Sequence, residues 1–186
     1  MLPGFIPPHG GYKKLLSYQR AEVVYDATVY FVDRFIDRRS RTQDQMVQAA
    51  RSGKQNIIEA SMASATSKET EIKLTNVARA SLEELLADYR DFLRVRGLQE
   101  WPVEHANVSR LRELIRTPDA SYATFRKGIE HSDPAIAANV IIGLIRVANT
   151  LLDRQLRTLE QAFIKEGGLR ERMTKARLEE RKRNPR

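Results

Sequence analysis

The chain has 186 residues, of which 41% are apolar, and its formal net charge is +8. It contains no cysteine, which excludes a disulfide framework and a thiolate metal site. The charge is uneven: residues 165–186 carry nine Lys/Arg against four Glu, whereas the remaining chain carries 23 basic against 20 acidic residues. A nearly neutral body with a basic end indicates an anionic partner, although a solubilising tail would have the same composition.

The first residues, "MLPGFIPPHGGYKK", are rich in proline and glycine and predict an extended arm over residues 1–16. They include no apolar run bounded by a small-residue cleavage site, so no signal peptide is expected. From Ser17 the apolar spacing becomes helical, with one stripe through Val24, Thr28, Phe31 and Phe35. This helix is expected to end near "DRRSRT", where the stripe stops.

Capping-box sequences predict the starts of the next two helices. "TQDQ" at 42–45 begins a helix over about 43–65, and "TSKE" at 66–69 begins a third, which Gly97 ends as a C-cap glycine. The second helix keeps Gly53 in its interior, beside several alanines, although glycine there costs about 1 kcal/mol relative to alanine. Large side chains of another helix, or of a neighbouring subunit, are expected to fill this shallow groove.

Residues 98–133 are less regular and predict a connector with one short helix at "VSRLRELIR". A long helix then begins with Asp133 as N-cap and Pro134 at its first position, and Gly167-Gly168 ends it after about 33 residues. Polar residues such as Asn139 and Arg146 interrupt its apolar run, which favours a core helix over a membrane span.

The predicted fold is all-α: an up-down four-helix bundle with an irregular helical connector and a basic C-terminal suffix. Its parts are an extended arm (1–16), the bundle (17–166, with the connector at 98–133) and the suffix (167–186).

No catalytic, metal-binding or cofactor-binding set is found in the sequence. Nucleotide-binding glycine fingerprints and the nucleophile elbow do not occur. His9, His105 and His131 fall in predicted loops or at helix ends, without the Glu-x-x-His pairs of di-metal bundles. The carboxylates of the third helix, Glu83, Glu84, Asp88 and Asp91, are interpreted as a solvated face with Arg79, Arg90 and Arg94. An enzyme is therefore the least favoured class, and no metal or cofactor is expected.

The basic suffix holds the candidate nucleic-acid-binding residues. They are Arg170, Arg172, Lys175, Arg177, Arg181, Lys182 and Arg183. Such a strip predicts salt-dependent, sequence-poor contact with phosphates, and the lack of interleaved aromatic residues makes base stacking unexpected. Packing on a neighbouring subunit, and i,i+4 pairing with the glutamates of a solvated helix, remain alternatives. A second basic cluster, Arg38, Arg39 and Arg41, follows the first helix.

Two long motifs resemble a known group. "DQMVQAARSGKQNIIEAS", followed by "TSKETEIKLTNVARASLEELLADYRDFLR", is similar to the bacterial four-helix bundle proteins encoded in intervening sequences of large-subunit ribosomal RNA genes. "HGGYKKLLSYQRAEVVYDATVYF" and "RVANTLLDRQLRTLEQAFIKEGGLRER" resemble the four-helix bundle suffix-domain branch of that group. The signature helix would correspond to Gln45, Ala49, Arg51, Ser52, Asn56 and Glu59. The chain departs from the group's proline-containing "SIPANI"-like run at Ser52–Ile57, and Ala60 stands where a glycine commonly follows the Glu.

The resemblance implies an all-helical bundle that assembles as a cytoplasmic ring, expected to be a pentamer. A more distant relative, the accessory protein of diversity-generating retroelements, is a basic pentameric barrel that works with a reverse transcriptase and RNA. The first hypothesis is therefore a nucleic-acid-binding accessory protein, RNA slightly favoured over DNA, with a protein partner in a ribonucleoprotein as a further expectation. The second is a structural or protein-interaction scaffold whose suffix docks on a neighbouring subunit.

Overall fold

A computed structural model describes residues 10–117 and 119–183. These residues form one short 3-10 helix, Tyr12–Lys14, and seven α-helices, without a strand. The α-helices are α1 (Leu16–Phe35), α2 (Arg41–Ala63), α3 (Lys68–Val95), α4 (Ala106–Arg116), α5 (Tyr122–Ile129), α6 (Pro134–Glu166) and α7 (Leu169–Arg183). The all-α class predicted from the sequence is confirmed.

The four longest helices bury the core between them. Helix α1 packs against α2 and α6, and α3 packs against the same two helices. An aromatic cluster joins α1 to α3, because the Phe31 ring lies 5.0 Å from that of Tyr89 and 4.8 Å from that of Phe92. The Tyr89 hydroxyl donates to the Thr28 hydroxyl over 3.2 Å, and burial raises the pKa of Tyr89 above its ordinary value.

The small residues of α2 receive α3, as predicted. Gly53 is buried, and a Cβ added there would lie 2.6 Å from the Leu82 Cδ2 of α3, closer than real Cβ atoms come to another atom. The side chain of Leu82 is itself fully buried. The groove on α2 is thus filled from within the chain.

The helix starts differ from the predicted ones by one or two residues. Ser40, not Thr42, caps α2, because its backbone is extended and its hydroxyl accepts the Thr42 N–H over 3.2 Å. In the same way Ser67, not Thr66, caps α3, accepting the Thr70 N–H over 3.1 Å.

Glycine and Asp-Pro signals at the other helix ends are confirmed. After α3, the Gly97 N–H donates to the Arg94 carbonyl and the Leu98 N–H to the Leu93 carbonyl, as in a Schellman motif. Asp133 caps α6, since its side chain accepts the Ala135 N–H over 2.8 Å, and Pro134 occupies the first helical position.

The part of the N-terminal arm that the structure describes includes a helical turn. Residues 1–9, including His9, lie outside the described residues, and Tyr12–Lys14 form a 3-10 turn where an extended arm was predicted. Packing explains the difference: the Tyr12 ring lies 4.9 Å from that of Tyr18 on α1, and the Gly10 N–H donates to the Ser61 carbonyl of α2.

The connector forms two helices rather than the one predicted. Helix α4 packs on α6, and α5 packs on α1 and α6. The buried guanidinium of Arg20, on α1, donates to the Ala120 and Ile115 carbonyls and so joins α1 to the chain between α4 and α5. Burial lowers the pKa of Arg20.

Helix α6 contains a stretch that is long and apolar enough to cross a membrane by length and composition alone. Within the protein, 61% of that stretch is buried, and α6 packs on α1 and α3.

Candidate nucleic-acid interface

A glycine turn separates α7 from α6. Gly167 has a φ of 68°, a left-handed conformation that glycine adopts without strain, and it ends α6 as predicted. The Gly168 N–H then donates to Glu171 Oε2 over 2.9 Å. A glutamate at the third helical position that accepts the N-cap N–H is one half of a capping box, so Glu171 stabilises the start of α7.

The structure places all seven predicted nucleic-acid-binding residues on α7. The side chains of six of them are exposed: Arg170, Lys175, Arg177, Arg181, Lys182 and Arg183. The seventh, Arg172, lies in the first turn of the helix. No other helix in the described part of the chain packs along α7. Helix α7 therefore presents charge to the solvent on every side.

Three arginines share one face of α7. At 3.6 residues per turn, Arg170, Arg177 and Arg181 fall within about 40° of one another and extend over about 16 Å of helix. Each strand of duplex DNA carries one phosphate per about 3.4 Å of helix axis, so this face can contact several phosphates at once. The three glutamates of α7 fall on other faces.

The three arginines differ in their electrostatic surroundings. Lys73 lowers the pKa of Glu69, at the start of α3, through a hydrogen bond and through its charge, and Arg170 adds a smaller attraction. The first turn of α7 therefore lies near an acidic side chain of the bundle. Arg177 and Arg181 form no ion pair with a carboxylate among the residues described, so their charge is the more available to a ligand.

The second predicted basic cluster is partly neutralised. Arg38 pairs with Asp33 at 3.1 Å, both of them exposed, and the Asp37 carboxylate accepts the Arg39 N–H. Because Asp33 at the end of α1 and Asp37 in the following turn precede the arginines, this cluster carries less net positive charge than α7.

The acidic residues of α3 form a largely solvated face, as interpreted from the sequence. Glu83, Glu84 and Asp91 are exposed, and Arg94 pairs with Asp91 at 2.8 Å. Asp88 is half-buried, and its pKa is raised by burial and then by Glu84 and Asp91. No three His, Asp or Glu side chains come together as a metal site among the residues that the structure describes.

Asn56 and Asn149 form hydrogen bonds in different parts of the bundle. Asn56 is half-buried and its amide donates to the Ser52 carbonyl on its own helix, over 2.9 Å. Asn149 is buried and donates to Glu83 on α3 over 2.7 Å. The Asn56 amide therefore bonds within α2, whereas the Asn149 amide links α6 to α3.

Comparisons of the chain with protein-family models, curated proteins and solved structures give no match. The resemblance to the suffix-domain branch of the four-helix bundle proteins therefore stays a prediction from its quoted motifs.

Proposed function

We propose that the protein is a non-enzymatic nucleic-acid-binding accessory protein that contacts phosphates through α7, with RNA slightly favoured over DNA. The observation that carries the proposal is the exposed basic helix. Between Leu169 and Arg183 it has seven Lys or Arg and three Glu, a net of +4 in 15 residues. Binding through such a helix is electrostatic and sequence-poor, because phosphate contacts position a protein without reading bases.

The proposed architecture is an up-down four-helix bundle of α1, α2, α3 and α6, assembled in the cytoplasm as a ring of five subunits. The contacts of α1 and α3 with both α2 and α6 support the bundle. The subunit number and the family rest on resemblance. A ring would present several copies of α7 to one polyanion, which raises the effective concentration of each further contact.

The test is a salt series with single-stranded RNA and with duplex DNA, using the full chain. For a single strand, each phosphate contact contributes about 0.7 to the slope of log K against log salt, so Arg177→Gln with Arg181→Gln should reduce its magnitude by about 1.4. The matched control is Arg112→Gln with Arg116→Gln, which removes two exposed arginines at the same spacing on α4.

Equal slopes for the two double variants would overturn the assignment to α7, and so would unchanged affinity after deletion of residues 169–186. Circular dichroism verifies that the bundle is intact: the two double variants should match the parent, and the deletion should lose only the helical signal of α7.

A scaffold whose suffix docks on a neighbouring subunit is the second candidate. Exposed apolar side chains favour it: Ile164 is 82% exposed at the end of α6, and Leu178 is 52% exposed on α7. The groove on α2, which suggested this function in the sequence, is filled by Leu82 and no longer supports it. Sedimentation of the full chain against residues 1–168 separates the two functions. Loss of assembly favours the scaffold, whereas intact assembly with loss of RNA binding favours the first proposal.

A further inference from the structure

An open cavity of about 510 Å³ lies between α4, α5 and α6, far in sequence from α7. This volume is within the range of about 300–1,000 Å³ that is typical of small-molecule sites. Most of its lining is apolar, including Trp101, Leu111, Phe125 and Val140. Phe125 and Leu111 are buried, so the floor of the cavity belongs to the core.

Specific contacts hold the cavity walls in place. The Asn139 side chain accepts the Trp101 backbone N–H over 2.7 Å and donates to the Gln99 carbonyl over 2.9 Å, which fixes the segment before α4 on α6. Gly128 lets α5 approach α6, because a Cβ there would lie 2.8 Å from Val140 Cγ2. The Trp101 ring stacks on that of His105, with ring centres 4.8 Å apart and planes 3° apart.

The charged side chains that line the cavity are cations. Arg110 and Lys127 reach it from α4 and α5, His131 reaches it from the loop before α6, and none of the lining residues is acidic. Arg110 and Lys127 form no ion pair within the described ranges. His131 Nδ1 accepts the Asp133 N–H over 3.0 Å, so the neutral ring carries its proton on Nε2, which is then a donor.

We propose that this cavity binds a small organic anion, with an apolar body against the Trp101 and Phe125 walls and one anionic group held by Arg110 and Lys127. An apolar floor with few convergent polar groups is the usual design of a small-molecule site. Two cations without a lining carboxylate select for negative charge, and a charge-assisted hydrogen bond is about twice as strong as a neutral one. The site is separate from α7 and does not depend on the proposed nucleic-acid binding.

The first experiment compares three probes: naphthoate, its neutral analogue naphthamide, and inorganic phosphate. Affinity is measured by titration calorimetry on the full chain, and the position of binding by heteronuclear NMR. Trp101 is the only tryptophan, so its indole N–H gives one assigned signal without mutagenesis. We expect naphthoate to bind and shift this signal, and both naphthamide and phosphate to bind about tenfold more weakly or less, as loss of one charge-assisted contact implies.

Variants then test separately how the cations and the shape of the cavity contribute to binding. Arg110→Gln with Lys127→Gln should weaken naphthoate about tenfold while leaving naphthamide unchanged. Ala123→Leu places a larger side chain in the lining and should weaken both probes. Arg112→Gln, an exposed arginine on α4 outside the cavity, is the matched control and should change neither affinity.

The proposal is overturned if naphthoate does not bind, if naphthamide binds as well as naphthoate, or if binding leaves the Trp101 signal in place. It is also overturned if the control variant loses as much affinity as the double variant. Thermal unfolding of each variant verifies that it is folded, and Ala123→Leu keeps the test decisive should the double variant be unstable.

Discussion

Helices α6 and α7 follow one another across a glycine pair and differ in what stabilises them. Helix α6 has 33 residues, and its apolar stripe is buried against α1 and α3, with Ile141, Leu144 and Leu152 fully inaccessible to solvent. Helix α7 has 15 residues, ten of them charged, and its Met173 and Leu178 are exposed. One helix is stabilised by burial, and the other is held by its own hydrogen bonds and the Glu171 cap.

This difference indicates where stability and charge reside in the molecule. Isolated helices shorter than about 12–15 residues are marginal in water, and α7 with 15 residues lies at this limit, so it contributes little to the free energy of unfolding. Because no other described helix packs along it, α7 keeps Arg177 and Arg181 exposed and available to a ligand. The buried helices hold the fold, and α7 can change its partner or sequence without disturbing them.

The largest expected effect comes from making the same substitution in both helices. Leu144→Ala removes a fully buried side chain from α6 and should lower the free energy of unfolding by about 2–5 kcal/mol. Leu178→Ala, at a side chain 52% exposed on α7, should change it by no more than about 0.5 kcal/mol. Urea unfolding followed by circular dichroism measures both. A comparable loss from Leu178→Ala would mean that α7 packs on the bundle in solution.

The long helices could be predicted from the sequence because their apolar residues recur with helical spacing, as in Leu82, Leu85 and Tyr89, all of which are buried. Helix α5 could not, because it has eight residues and only Phe125 and Ile129 are buried. Two turns are too short to establish a period against the neighbouring polar residues.

The two candidate sites also differ in how far the sequence alone predicts them. The basic residues of α7 are adjacent in sequence, so their clustering is visible without a structure, although the approach of Arg170 to Glu69 is not. The cavity brings together Trp101 from the segment before α4, Arg110 from α4, Lys127 from α5 and His131 from the loop before α6. Only the folding of α4 and α5 onto α6 brings them together, and no local pattern marks them.

A smaller effect is expected where two packed helices approach most closely. Gly53→Ala places a Cβ within 2.6 Å of Leu82, a buried side chain with little room to move. Overpacking costs about 1–3 kcal/mol, and the gain in helix propensity offsets about 1 kcal/mol of it, so a net loss of about 1 kcal/mol is expected.

The partner substitution identifies the cause of that loss. Leu82→Val shortens the side chain that faces Gly53, so Gly53→Ala should cost less in the Leu82→Val background than in the parent. Unfolding free energies of the four proteins give the coupling between the two positions. An equal cost in both backgrounds would show that the contact between α2 and α3 is not what selects glycine at position 53.

The smallest expected effect compares carboxylates in the two regions. Asp88 on α3 is half-buried, and burial, followed by the charges of Glu84 and Asp91, raises its pKa in the folded protein. A carboxyl group whose folded pKa is raised stabilises the protein below its unfolded pKa of about 3.9, and this contribution is lost as pH rises through the folded pKa.

At neutral pH, Asp88→Asn should therefore raise the free energy of unfolding by a few tenths of a kcal/mol, about the cost of one like-charge pair on a helix. The advantage should shrink as pH falls through the folded pKa and disappear well below about pH 3.9, where Asp88 is protonated in both states. Glu179→Gln on α7, at an exposed glutamate, is the charge-matched control and should alter stability by no more than about 0.3 kcal/mol. Urea titrations of the three proteins from acid to neutral pH measure the difference, and an advantage of Asp88→Asn that grows toward acid would contradict the sign derived from burial.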